Sequence, residues 1–308
     1  MDSSSKALGA SSADTVVFGP RPPFTVNGFG LSDRGRKRDS NEDHFAVAEL
    51  VRSLRVQHTS LAQLGTSLSA HRGYVLMIAD GVGGGNAGEV ASGLSVATIE
   101  DFMLNTLKRF SNLQAGEEQG ALRALQEALC EADARIFEET DEHPEWRGMG
   151  TTLTMAFAVN WRLFVAHAGD SRCYLFSGGR LQQLTQDHTM TADMARRGLL
   201  PPEKIAGHPW RHVVTNALGG SEPGVQVELH SLDLHPDDML LLCSDGLTEM
   251  MSDDEITTVL QAEHNSQSAC ERLIAEANLR GGKDNITVIV ARVGPSVPTA
   301  PNNVAAGH

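Results

Sequence analysis

The sequence predicts an α+β fold in which antiparallel sheets are covered by helices. Two observations predict it. Segments of strand character dominate the middle of the chain, where β-branched, apolar and aromatic residues cluster at 151–159, 163–168 and 172–176. Helical segments arrive as two adjacent pairs, 87–107 with 122–136 and 253–262 with 268–278. A doubly wound parallel sheet would need one helix after each strand, so the pattern favours antiparallel pairing.

Taken in order, residues 24–31 read as a first strand, followed by the basic turn Arg34-Gly-Arg-Lys-Arg-Asp-Ser-Asn-Glu-Asp43 and an extended stretch at 44–48. Residues 52–72 carry little periodic signal and read as an inserted loop or short helix. The apolar run 74–79 is a buried strand that ends on Asp80, and four glycines follow at 81, 83, 84 and 85. Helix 87–107 is expected to bury Val90, Leu94 and Ala97. Its partner shows Leu122, Leu125, Leu129, Ala132 and Ile136 at helical spacing. After the strands of the middle come a short helix over 189–200 and a Pro/Gly/His-rich candidate flap over 201–224. Met239–Cys243 is a buried strand running into Ser244-Asp-Gly246. Helices burying Ile256, Val259, Leu260, Leu273, Ile274 and Ala277 precede a last strand at 286–293. One domain over 24–294 is expected, between Ser-, Gly- and Pro-rich tails at 1–23 and 295–308.

Composition limits the function classes. The chain carries 25 Lys+Arg against 39 Asp+Glu, a net charge of −14, which argues against nucleic acid or anionic lipid as a partner. No apolar run approaches the roughly 20 residues that span a bilayer, and the first residues lack the basic-then-apolar pattern of a secretion signal. The four cysteines have no paired spacing and read as reduced thiols, so a cytoplasmic protein without membrane attachment is expected.

Chemistry concentrates at strand ends. Ile78-Ala-Asp-Gly81, Ala168-Gly-Asp-Ser171, Cys243-Ser-Asp-Gly246 and Lys283-Asp-Asn-Ile286 each set an acidic turn beside an apolar strand, and Asn41-Glu-Asp43 precedes another. One Asp-Gly after a strand is ordinary turn chemistry. Four such carboxylates in one domain repel one another unless cations neutralise them. Magnesium and manganese favour such oxygen ligands, and a pair of these ions can hold a bridging water and lower its pKa toward neutrality.

Arg38-x-x-Asn-Glu-Asp43, Ala79-Asp-Gly-x-Gly-Gly84, Gly150-Thr-Thr152, Ala168-Gly-Asp-Ser-Arg172, Leu184-Thr-x-Asp-His188, Ala217-Leu-Gly219, Ser244-Asp-Gly-Leu247 and Gly282-x-Asp-Asn-Ile-Thr-Val288 follow one another in the order of a known family. Over about residues 26–293 the chain resembles the bacterial-type PPM (type 2C) metal-dependent Ser/Thr protein phosphatases. The resemblance implies a four-layer α-β-β-α sandwich of two antiparallel sheets flanked by helix pairs. It implies a dinuclear Mn2+ or Mg2+ site bridged by Asp80, with the Gly81 carbonyl, Asp245 and Asp284 as ligands and Glu42 acting through water. A third, weaker ion would sit at Asp170 and Asp245, and Arg38 would bind phosphate. The implied reaction is hydrolysis of phosphoserine and phosphothreonine in proteins by a metal-bridging hydroxide, opposing a cognate Ser/Thr kinase in bacterial signalling. A monomer is expected. The alternative is a pseudophosphatase that binds phosphoproteins without hydrolysis; such proteins usually lose metal-binding carboxylates, and here all five are present.

The pattern departs from the family in one respect. A histidine often follows the Asp-Gly or the Gly-Gly pair as a proposed acid for the leaving group, and here those positions are Val82 and Gly85. His44, His167, His188 and His212 are expected to be structural, and Cys173 and Cys243 to be core residues rather than nucleophiles.

Overall fold

Alternating strand side chains leave each sheet two faces to cover, and this chain covers them with one shared core between sheets and one helix layer outside each. The computed structural model describes residues 24–54, 67–83, 87–106 and 116–295. The expected tail at 1–23 and that at 295–308, apart from Pro295 at the end of the last strand, lie outside the described residues, as do Gly84, Gly85, Asn86 and Leu107.

In chain order the elements begin with β1 (Phe24–Asp33), β2 (Asp43–Leu54), β3 (Ser67–Val82), α1 (Ala87–Asn105) and α2 (Glu118–Glu142). A strand-rich middle follows: β4 (Gly150–Thr151), β5 (Leu153–Val159), β6 (Arg162–Ala168), β7 (Arg172–Ser177) and β8 (Arg180–Gln183). Then come α3 (Met190–Arg196), β9 (Leu218–Gly219), β10 (Glu228–Asp233) and β11 (Met239–Cys243). The chain closes with α4 (Asp245–Thr248), α5 (Asp253–Ala262), α6 (Ser266–Leu279) and β12 (Ile286–Pro295).

One sheet has the order β1-β12-β11-β7-β8. The other runs β10-β6-β5-β3, with β2 also on β3 and the short β4 and β9 extending the end of β3. Every pairing is antiparallel. Tyr74, Leu76 and Ile78 of β3 meet Leu240 and Leu242 of β11 and Ile289 and Ala291 of β12 in the core between the sheets. The opposite faces of the same strands, Val75 and Met77 on one side and Leu241 and Val290 on the other, pack under α1/α2 and α5/α6. The four layers implied by the family resemblance are therefore present.

Three local expectations are corrected. Residues 52–54 and 67–72 are not a loop or helix but the distal ends of β2 and β3, whose ladder continues through Ser53↔Leu68 and Leu54↔Ser67 after an irregularity. Their mixed composition carries neither a strand nor a helix period, so the sequence gives no signal for the hairpin; residues 55–66 lie outside the described residues. Helix α1 turns a different face to the sheet. Ala91, Ser92, Ser95, Val96 and Ile99 are buried, Val90 and Leu94 are half-buried, and Ala97 is exposed. Small residues let the helix lie close to β3, and the two serines satisfy their hydroxyls on helix carbonyls, Ser95 on Ala91 at 2.9 Å and Ser92 on Gly88 at 3.1 Å. Strands β8 and β10 also escape the sequence reading, since both are edge strands with polar residues and weak apolar alternation.

Candidate active site

Antiparallel partners reverse direction, so the ends of β3, β6 and β11 and the starts of β2 and β12 fall at one edge of the sandwich. That edge collects the acidic turns. Arg38, Glu42, Asp80, Gly81, Asp170, Asp245 and Asp284, every residue singled out from the sequence, line one cleft of about 500 Å³ there.

Asp80 sits at the cleft floor, held through its backbone. Its amide donates to Thr152 Oγ1 at 3.1 Å, and its carbonyl accepts from the Thr152 amide at 2.9 Å and from Thr151 Oγ1 at 2.9 Å. The Gly150-Thr-Thr152 motif thus fixes the strand end through backbone groups of Asp80. Gly81 follows where no side chain fits, since a Cβ would stand 2.3 Å from the Gly88 carbonyl oxygen.

Asn285 organises the opposite wall. Its Nδ2 donates to the carbonyls of Arg34 (3.0 Å) and Ser40 (2.8 Å), and its Oδ1 accepts from the Glu42 amide (2.9 Å). One buried side chain therefore holds the turn that carries Arg38 and Glu42 against the start of β12. Arg38 Nη2 donates to Asp284 Oδ2 at 2.7 Å, so it belongs to the cleft rather than to the solvated Arg34/Arg36/Lys37 cluster. Asp245 opens α4, directly after Ser244 at the end of β11.

Asp43 is a residue the sequence reading did not single out. It is the register partner of Asp80 across β2 and β3, so the two carboxyls lie on one face. Its Oδ2 accepts from Ser244 Oγ at 2.8 Å and Thr287 Oγ1 at 2.6 Å, which ties the two sheets together beneath the site. Its Oδ1 is buried with no hydrogen-bond partner among the described residues. The signal was legible in Asn41-Glu-Asp43, since alternation along a strand turns Asp43 inward when Glu42 faces the cleft edge.

These carboxyls raise one another. Burial, then the charges of Asp43 and Asp245, push Asp80 well above the usual carboxylate range, and burial followed by Asp170 does the same to Asp245. Asp43 and Asp170 are both pushed up to about 6, by burial first. A buried acceptor without a donor, clustered carboxyls that oppose each other's ionisation and a backbone carbonyl at Gly81 together form a donor set suited to hard divalent cations.

A pH dependence follows. A carboxyl whose folded pKa exceeds its unfolded one binds a proton in the folded state first, so stability is highest at low pH and is lost as pH rises through the folded value. Asp43 and Asp170 place that loss between pH 4 and about 6, with Asp80 and Asp245 extending it upward. His167, held at about 4 by burial, works the other way, as do Glu228 and Glu255, drawn down to about 2 by their partners. Those two glutamates act mainly below about pH 5, and Glu42, raised by burial, adds to the cluster. In chelator the melting temperature is expected to be higher at pH 5 than at pH 7.5. A scan showing equal or reversed values would contradict the reading of the cluster.

The profile of the Protein phosphatase 2C family matches residues 63–280. The chain belongs to the protein phosphatase 2C family. It is accordingly a metal-dependent protein phosphatase. The serine/threonine phosphatase stp of Listeria monocytogenes is 32% identical over 259 residues, 84% of this chain and 92% of that protein. The serine/threonine protein phosphatase PstP of Mycobacterium tuberculosis is 36% identical over 264 residues, 85% of this chain and 44% of that protein. The PstP catalytic domain, solved in complex with two manganese ions, superposes with a TM-score of 0.68 at 32% identity, covering 88% of this chain and 99% of that one.

In this phosphatase the flap contributes to the cleft. Arg211, His212 and Val214 line it together with Glu249 and Lys283, none of which the sequence reading placed there. His212 Nδ1 lies 2.6 Å from Glu249 Oε1 and 4.0 Å from Asp245 Oδ2, so this histidine, expected to be structural, stands in the cleft beside Asp245. Glu249 lies four residues after Asp245, a spacing that could have revealed it; His212 arrives by tertiary folding alone. Cys173 and Cys243 are buried in the core, and burial raises both thiols, Cys243 to about 12. Val82 is exposed on the cleft wall and offers no proton.

Proposed function

We propose that this phosphatase hydrolyses phosphoserine and phosphothreonine in proteins with water as the nucleophile. The observation that carries the reading is the convergence of Glu42, Asp80, Asp170, Asp245 and Asp284 with Arg38 at one strand-end cleft, with Asp43 paired to Asp80 beneath it. Asp80, the Gly81 carbonyl, Asp245, Asp284 and, through water, Glu42 would hold two Mn2+ or Mg2+ ions, and Asp170 with Asp245 a third, weaker one. When bound, such ions supply Lewis acidity toward phosphoryl oxygens and acidify water. Arg38 presents a planar guanidinium that matches two phosphoryl oxygens, and Asp43, buried beneath Asp80, supports the floor of the site. Among the described residues no helix is long and apolar enough to cross a membrane. A domain over 24–294, a cytoplasmic location, a monomeric state and a cognate Ser/Thr kinase complete the proposal. The pseudophosphatase alternative gains nothing here, because no site carboxylate is missing.

Release of phosphate from a phosphothreonine peptide with manganese, and its loss in chelator, tests this reading. No turnover with manganese would end it. Arg38→Ala is expected to lower kcat/KM by roughly ten- to a hundredfold, the value of a charged hydrogen bond of about 1.5–3 kcal/mol. Arg38→Lys should recover only part, because an ammonium cannot span two oxygens. Equal activity of Arg38→Ala and the unsubstituted protein would remove Arg38 from the site.

A further inference from the structure

We infer that His188 is a positioning residue that couples the stem of the flap to the loop carrying Asp170, through a single acceptor atom serving both. The inference rests on the proposed role of Asp170 as a metal ligand. His188 does not line the cleft and acts only through its neighbours.

The loop between β6 and β7 has little freedom. Gly169 adopts φ +122°, and a Cβ there would stand 2.4 Å from Thr152 Cβ. Both backbone polar groups of Gly169 go to His188: its amide donates to Nδ1 at 3.1 Å, and its carbonyl accepts from the His188 amide at 2.7 Å. Asp170 is the next residue, so its direction follows this clamp.

The flap stem uses the same ring. Asn216 Nδ2 donates to His188 Nδ1 at 3.1 Å, and the Thr215 amide donates to the His188 carbonyl at 2.8 Å. The orientation of the Asn216 amide is fixed independently, because Nδ2 also donates to the Gln226 carbonyl (2.8 Å) and Oδ1 accepts from the Gln226 amide (3.0 Å). Asn216 therefore spans both sides of the return from the flap, directly after the stretch that brings Arg211, His212 and Val214 into the cleft.

Two N–H groups converge on Nδ1, so the ring proton sits on Nε2, which faces Glu228 Oε2 at 3.3 Å. Glu228 is built to stay anionic. Burial alone would raise it, but hydrogen bonds from His188, His230 and the Gln186 amide pull it down to about 2. The His167 ring stacks on His188 at 4.8 Å, with its own nitrogens engaged by Thr154 Oγ1 and the Gln186 carbonyl, so it is packing and not a competing partner. Glu228 thus sets the tautomer, the tautomer makes Nδ1 an acceptor, and the acceptor joins loop to flap.

Amide hydrogen exchange on metal-free protein, paired with a manganese titration by calorimetry, tests the coupling. In His188→Leu the Gly169 amide should exchange roughly tenfold faster, while His188→Asn, whose carbonyl can replace Nδ1 as acceptor, should stay near the unsubstituted rate. Asn216→Ala, a milder change far along the chain from Asp170, should accelerate Gly169 exchange and weaken the weakest manganese site about fivefold, leaving the two tighter sites unchanged. Gly169 exchange and weak-site affinity that do not respond to Asn216→Ala would overturn the proposal, as would identical behaviour of His188→Leu and His188→Asn. Failure of the phosphatase reading would show separately, as absent manganese-dependent turnover in the unsubstituted protein, while exchange measured without metal still decides the coupling.

Discussion

Asp80→Asn is expected to lower turnover with manganese by on the order of 10³-fold, a loss of ~4 kcal/mol of transition-state stabilisation. The same change should make the metal-free protein more stable. Asp80 is pushed well above its ordinary range by burial and by Asp43, Asp245, Asp170 and Asp284, so an amide removes a charge that the fold opposes. A gain on the order of 4 °C in chelator is expected, together with loss of most of the stabilisation that manganese gives the unsubstituted protein. Opposite movements in activity and stability distinguish a ligand from a core residue, for which both fall. An Asp80→Asn protein that is less stable in chelator and still fully active would refute the assignment.

Gly81→Ala is expected to damage both properties at once. Its Cβ would stand 2.3 Å and 2.4 Å from the carbonyl oxygen and carbon of Gly88, and 2.9 Å from the Glu42 carbonyl oxygen. All three are backbone atoms with no rotamer to give way, so the end of β3 must part from α1 or β2. Overpacking of this kind costs about 1–3 kcal/mol, or roughly 3–10 °C in melting temperature. The displaced Asp80 and Gly81 carbonyl should lose manganese affinity as well. Gly294→Ala, where a Cβ meets nothing within 4 Å, is the control and should change neither. A Gly81→Ala protein indistinguishable from it in calorimetry would show that the strand end is not packed as described.

Much of this was legible in the residues themselves. The strand and helix runs predicted antiparallel sheets under helix pairs, and the apolar periodicity of α2, α5 and α6 picked out the faces that are buried. In α1 the same rule selected Val90, Leu94 and Ala97 rather than Ala91, Ser92 and Ser95. Hydrophobicity ranks size, whereas close helix–sheet approach selects small residues. The distal hairpin of β2 and β3 was invisible because its residues carry no periodic signal, and the edge strands β8 and β10 because their polar residues alternate weakly.

The site divides in the same way. By itself the sequence determined the acidic turns, because a carboxylate placed where an apolar strand stops is a local feature, whereas Arg38 stood out only through the resemblance of its motif to the family. Only the tertiary structure decided that Asp43 lies beneath Asp80, that Asn285 staples the Arg38 turn to β12, and that His212 and Arg211 reach the cleft from the flap. Those relations join residues far apart in the chain, and no local periodicity encodes which strand ends meet. At Gly169 the distinction is sharpest: a glycine before an aspartate reads as a turn, and the atom of His188 that holds it depends on a tautomer set by Glu228 from another strand.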